Sequence, residues 1–254
     1  MLLLAMKKFG KKKNDNGITA TERSGSPAAG KKGGKGAQTA TKIKQALQDT
    51  AIEYIKAGNI EALEKMTEDG CDEIKFLNRL HTKSGKSSLG VAAEEGRIGS
   101  MSILLKAKPD VDLVDKLGMT AFLYAAKNGE FEILEMLFEA EVDLHVKTTS
   151  KNENALALAV AGNHFKCVEL LESYTLAIDE KNKMEETPLS TALKFEYFPI
   201  CSFLVEREAN INVRGVNGNT PLLRTAFDGH EVTAQFIIEN HGDVNLANNN
   251  GETA

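Results

Sequence analysis

Apolar residues return along this chain with a period near 33. Leu89, Phe122, Leu156, Leu189 and Leu222 are separated by 33, 34, 33 and 33 residues. A second column, Gly96, Gly129, Asn163, Glu196 and Gly229, keeps the same intervals, and so does a third, Asp112, His145, Asp179, Asn212 and Asn245. The first and third columns stay 23 residues apart in every copy, so the one extra residue falls between His145 and Leu156. Three columns sharing one insertion mark an internal repeat. A repeat of this length is one supersecondary unit, which buries its apolar face only by stacking on its neighbours.

Each unit predicts two helices. In "GMTAFLYAAKNGEFEILEMLFEAEVDLH", Thr120 follows the loop residue Gly118, and its hydroxyl suits a helix start. Phe122, Ala125 and Ala126 give the first, short helix a small-residue face for close packing. Asn128-Gly129 ends it, because both residue types tolerate positive φ. Phe131, Leu134 and Leu137, with Ile133 and Met136, form the apolar stripe of a second helix. The polar turn "VDLH" then leads to the next loop. Upstream, "AIEYIKAGNIEALEKM" predicts a leading helix pair broken at Gly58, and residues 67–81 after it are longer than an ordinary hairpin.

The units resemble the ankyrin repeat, with its pattern Gly-X-Thr-Pro-Leu-His-X-Ala-Ala-X-X-Gly-His-X-X-Val-X-X-Leu-Leu. The copies read "GKSSLGVAAEEGRIGSMSILL" at 85–105, "GMTAFLYAAKNGEFEILEML" at 118–137, "NALALAVAGNHFKCVELL" at 154–171, "ETPLSTALKFEYFPICSFL" at 186–204 and "GNTPLLRTAFDGHEVTAQFI" at 218–237. The resemblance implies an all-α solenoid of stacked helix-turn-helix units with protruding hairpin loops. Its five repeats and the opening of a further, truncated one fill 82–254, a degenerate leading pair fills 44–81, and a disordered arm fills 1–43. Some positions depart from the pattern. Gly90, Leu123, Ala157, Ser190 and Leu223 stand where the family has His, and the repeat proline is present only at 188 and 221. Glu196 replaces the helix-ending Gly and Pro199 falls in the first turn after it, so the fourth repeat is expected to be the least regular. Gly251 and Thr253 repeat Gly218 and Thr220, and the sequence then stops one residue before the next core Leu. The expectation is either a fragment or a last face covered by something else.

The same resemblance implies a protein-binding scaffold that meets its partner with hairpin tips and first-helix ends. Transferred position by position, the partner-binding candidates are Lys83, Lys116, Leu117, Met119, Lys127, Lys151, Lys183, Met184, Phe195 and Phe227. The two phenylalanines stand where the framework needs no large group. Each is an interface anchor, or Phe195 instead folds back onto Tyr197 or Phe198.

Composition sharpens this picture through charge. Residues 1–44 carry eleven Lys or Arg against Asp15 and Glu22, a balance of +9 that leaves −14 for residues 45–254. The hairpin tips, at +2, are less acidic than the body that carries them, which points to a partner with an acidic surface. The arm, "MLLLAMKKFGKKKNDNGITATERSGSPAAGKKGGKGAQTA", has too little apolar content to offset the entropy of ordering it. Its short apolar start precedes the lysines, the reverse of a signal peptide, and Leu2 excludes N-myristoylation. The arm is a solubilising tail without a partner, or an electrostatic tether to a membrane, a nucleic acid or an acidic protein polymer. In the second case the repeats act as a spacer. Cys71, Cys167 and Cys201 cannot all pair, and no Asn-X-Ser/Thr sequon occurs, which favours a reducing, cytoplasmic setting.

Catalytic chemistry finds no foothold. "SGKSS" at 84–88 suggests a phosphate loop, but Leu80 stands where that motif needs its first Gly. The five histidines lack the spacing of a zinc helix motif. Cys167 and Cys201 fall on apolar stripes as small core residues. The expectation is therefore no enzyme activity, no cofactor and no metal.

Overall fold

The computed structural model describes residues 34–68, 77–174 and 178–254. Residues 39–254 form one compact unit and residues 1–38 a second, of which only 34–38 are described. Twelve α-helices occur among the described residues. A leading pair, α1 (Gly34–Ala57) and α2 (Ile60–Glu68), precedes five further pairs. These are α3 (Ser88–Glu94) with α4 (Ile98–Lys106), α5 (Ala121–Asn128) with α6 (Phe131–Glu139), and α7 (Ala155–Ala161) with α8 (Phe165–Tyr174). Then come α9 (Pro188–Lys194) with α10 (Phe198–Glu206), and α11 (Pro221–Asp228) with α12 (Glu231–Glu239). The first helices α3, α5, α7, α9 and α11 stack in order in one layer, and the second helices α2, α4, α6, α8 and α10 stack in another. The fold is an all-helical ankyrin-type solenoid.

Three short-range devices explain why this sequence adopts it. The first is a cap on every first helix. Ser87, Thr120, Asn154, Thr187 and Thr220 accept the backbone N–H three residues on, at 2.8 to 3.3 Å. In α9 the cap is reciprocal, since Ser190 Oγ accepts the Thr187 N–H at 2.8 Å. The second is a left-handed residue that ends each first helix. Gly96, Gly129, Asn163, Glu196 and Gly229 all have φ between 59° and 78°. This lets the following N–H, from Arg97 to His230, reach back five residues to close the helix. The second sequence column is thus a backbone requirement, which Glu196 meets at a conformational cost.

The third device joins one repeat to the next. Asp112 accepts the Asp143 N–H at 2.8 Å, Asp179 the Asn210 N–H at 3.0 Å, and Asn212 the Asp243 N–H at 2.8 Å. These are residues of the third sequence column, and their short polar side chains serve as acceptors between successive turns. The core between the layers is apolar, with Phe122, Leu104, Leu134, Leu137, Leu171 and Leu204 fully buried. Cys167 and Cys201 are buried free thiols in this core, and burial pushes their titration up to about 11 and about 12.

The first described helix, α1, begins at Gly34, within the stretch 1–43 expected as the arm. Past Gly36 the segment "AQTATKIKQALQ" has neither Gly nor Pro and carries good helix formers, and Leu47 within it and Ile52 and Ile55 beyond it are buried. The rest of the expected arm, 1–33, lies outside the described residues, as do Cys71 and most of the long 67–81 connection.

Glu196 predicts a pH response. Its carboxylate accepts from His230 Nδ1 and from Thr233 Oγ1, both at 3.0 Å, and these bonds hold its titration below the ordinary 4.5. A depressed carboxylate contributes stability that is present above the unfolded value and lost as pH falls through the folded one. Asp49 and Glu186 act in the same direction, and Glu130, raised by burial, acts in the opposite one. Acid titration followed by circular dichroism is expected to loosen the α11–α12 pair below pH 4.5, and Glu196→Gln is expected to flatten that part of the curve.

Candidate partner-binding face

Six hairpins, numbered one to six in chain order, are built to a common plan. His81, Asp115, Thr148, Asn182, Gly215 and Asn248 each donate their N–H across the tip, to Lys86, Met119, Glu153, Glu186, Asn219 and Glu252, at 2.8 to 3.0 Å. Side chains complete the turn. Asp115 Oδ1 accepts from Leu117 and Met119 N–H, at 2.7 and 2.9 Å, and Asn182 Oδ1 accepts from Met184 and Glu186 N–H, at 2.8 and 3.0 Å. Adjacent hairpins are tied by backbone bonds from Thr149 to Leu117, Lys183 to Lys151 and Asn249 to Asn217. The tips are therefore held from two sides by backbone bonds, and side chains between the closing bonds, such as those of Lys116, Leu117, Lys183 and Met184, are exposed.

Most of the sequence candidates stand in such positions. Lys83, Lys116, Lys127, Lys151 and Lys183 are exposed, as are Leu117, Met184, Phe195 and Phe227. Met119 does not belong with them, because it is only 6% exposed. The hairpin turns back at Gly118, and both backbone groups of Met119 bond to Asp115. That burial has a consequence for Lys127. Equivalent positions in other repeats pair with the end of their own first helix, Lys86 with Glu94 and Glu186 with Lys194. Met119 offers no charge, and Lys127 has no ion-pair partner among the described residues.

Phe195 folds back onto its neighbours and stays half exposed. Its ring stacks on Tyr197 at 5.7 Å with Lys194 Nζ 5.7 Å from its centroid, and it is still 50% exposed. Phe227 is 63% exposed with no ring partner among the described residues. Sequence inspection missed a cleft of about 180 Å³ between the fourth and fifth helix pairs. Met184, Val216, Pro221, Leu193, Thr225 and Arg224 line it. Its position depends on how two helices pack, which a repeat pattern does not encode.

The charged groups beside the cleft are satisfied. Burial opposes the charge on Glu186, but hydrogen bonds from Lys194 and Asn182 outweigh it and hold the carboxyl low. Arg224 meets Asp228 at 3.5 Å and Lys181 meets Glu185 at 3.1 Å. No group of three or more His, Cys, Asp or Glu among the described residues is placed to share a metal ion. No described helix is long and apolar enough to cross a membrane.

Comparisons agree with this geometry. A family model described as ankyrin repeats in three copies matches residues 50–148 and 142–215, and a single ankyrin-repeat model matches 217–249. The chain is 31% identical over 104 residues to the ankyrin repeat and KH domain-containing protein mask of Drosophila melanogaster, covering 41% of this chain and 3% of that protein. It is 24% identical over 159 residues to the target of rapamycin complex 2 subunit AVO2 of Saccharomyces cerevisiae, covering 61% of this chain and 37% of that protein. The chain thus spans a small part of the curated relatives it matches. The crystal structure of the ankyrin repeat domain of Bcl-3 superposes with a TM-score of 0.71 at 20% identity, over 80% of this chain and 90% of that one.

Proposed function

The chain belongs to the ankyrin-repeat family, and we propose that it is an interaction scaffold whose hairpin tips and first-helix ends bind an acidic surface of another protein. The observation that carries this reading is the division of labour within each hairpin. Backbone and side-chain bonds fix the loops, and the side chains of Leu117, Lys151 and Met184 make no hydrogen bond to the framework and stay exposed. A rigid support limits the ordering cost of binding. The exposed lysines on an otherwise acidic body supply electrostatic complementarity. The buried free thiols fit a reducing compartment.

Affinity capture with the full chain, followed by identification of what is retained, tests the reading. Phe227→Ala is expected to weaken retention while changing stability by under about 0.5 kcal/mol, as for other surface changes. Phe195→Ala is expected to cost about 0.5–1.5 kcal/mol more, because it also removes a ring pair. If both variants melt early and bind normally per folded molecule, the face is misplaced. The tether reading rests on the +9 of residues 1–44 alone. It takes over if changing Lys11, Lys12 and Lys13 to Ser abolishes a steeply salt-dependent retention that the tip variants leave intact.

A further inference from the structure

We infer that the seam between the fourth and fifth helix pairs is the anchor point of the binding face. Its occupant is an extended segment of a partner protein, with a bulky apolar side chain in the cleft and carboxylates along the tip lysines. The inference rests on the scaffold reading above and names the chemistry of its partner.

The seam differs from the others in backbone, not only in side chains. Hairpins two and three, three and four, and five and six are tied by backbone hydrogen bonds. Among the described residues no such bond joins hairpins four and five, where Lys181 Nζ reaches the Arg214 carbonyl at 2.8 Å instead. The first and second hairpins also lack a backbone tie, but there the Lys116 stem runs beside Gly85, within 3.6 Å of where a Cβ on that glycine would stand. The fifth hairpin explains the opening. Its closing residue is Gly215, which has no side chain to accept from the turn, whereas Asp115, Asn182 and Asn248 all do. The tip instead winds into a 3₁₀ turn, Val216–Gly218, with Asn217 left-handed.

The opening has an apolar part among polar neighbours. Leu193 lies buried in its lining with Thr220 and Thr225, and Met184 and Val216 stand half exposed beside it, at 50% and 53%. Because Glu186, Lys194, Arg224 and Asp228 are already paired with one another, the cleft has no unmet charge for a partner to satisfy. It suits an uncharged side chain of Leu, Met or Phe type, held in a desolvated pocket as binding anchors usually are. Charge enters on one side only. Lys183, Lys151 and Lys116 occupy the tips of the fourth, third and second hairpins. Lys183 Nζ bonds to the Thr149 carbonyl, Lys151 has only Glu153 at 3.9 Å, and Lys116 has no ion-pair partner among the described residues. An extended chain leaving the cleft along this row would meet one exposed lysine per repeat, so carboxylates are the complementary groups.

A random twelve-residue peptide library displayed on phage and panned on the full chain tests this. The winning sequences are expected to share one large apolar residue followed or preceded by two or more Asp or Glu. A fluorescein-labelled copy of one winner is then titrated against variants by polarisation. Val216→Asp and Met184→Asp, at exposed positions, are expected to weaken binding about 10-fold or more, the scale of a lost anchor contact. Lys183→Glu is expected to weaken it about 3-fold or more and to reduce its salt dependence. Melting curves of each variant separate lost binding from lost fold, and two cleft variants keep the test standing if one unfolds. An empty selection, winners without acidic residues, or affinities indifferent to both cleft variants overturn the inference. In the last case, sensitivity to Phe227→Ala instead would leave the scaffold reading standing with its anchor elsewhere.

Discussion

Replacing Leu189 with Ala is expected to cost about 2–5 kcal/mol, read as a lower urea midpoint and as faster amide exchange centred on α9 and α10. Leu189 is 1% exposed and sits in the column that Phe122 and Leu222 share, on α9, which packs between α7 and α11 in the layer of first helices. Truncation leaves a void that close-packed neighbours refill only in part. The repeat it weakens is already the most burdened. Glu185, Glu196 and Glu208 are all left-handed, at φ 58°, 60° and 64°, where other repeats use Gly or Asn at the first two columns. A solenoid repeat contacts only its neighbours, so its loss is not shared across the stack as in a globular core. The exchange gain should therefore be steepest in 187–206 and smaller in α3–α6. A cost below about 0.5 kcal/mol, the scale of a surface change, would overturn the register that places Leu189 in the core.

Much of this fold was legible because its repeat columns are backbone requirements. A left-handed helix end recurs every 33 or 34 residues, and Gly and Asn announce it at four of five copies. The third column could be counted but not interpreted, since its bonds run from one repeat to the next. The candidate binding residues were read from tip positions, and those between the closing bonds, such as Leu117 and Met184, are exposed. Met119, one place past the turn, is where the loop folds inward, and sequence spacing does not mark that reversal. The cleft was illegible for a different reason. It lies between the fourth and fifth helix pairs and depends on how they pack against each other, which the repeat columns do not encode.

Gly118→Ala is expected to cost about 2–4 kcal/mol, well beyond the same change at Gly229. Both glycines are left-handed, at φ 74°, so both variants carry the penalty of about 1 kcal/mol for a Cβ in that conformation. The surroundings separate them. A Cβ at Gly229 meets nothing within 4 Å, whereas at Gly118 it would lie 2.5 Å from Thr149 Cγ2 and 2.8 Å from the Thr149 backbone nitrogen. The second contact cannot be relieved by turning a side chain. That nitrogen donates to the Leu117 carbonyl, which Thr149 Oγ1 also reaches at 2.8 Å, so the Cβ forces apart the tie between hairpins two and three. Stability and binding should then fall together in Gly118→Ala, because Leu117 and Lys116 ride on the displaced loop, and Gly229→Ala should lose stability alone. Urea unfolding of the two variants side by side reads the difference. Equal losses would mean that the tie between hairpins contributes nothing and that the tips are held by their internal bonds only.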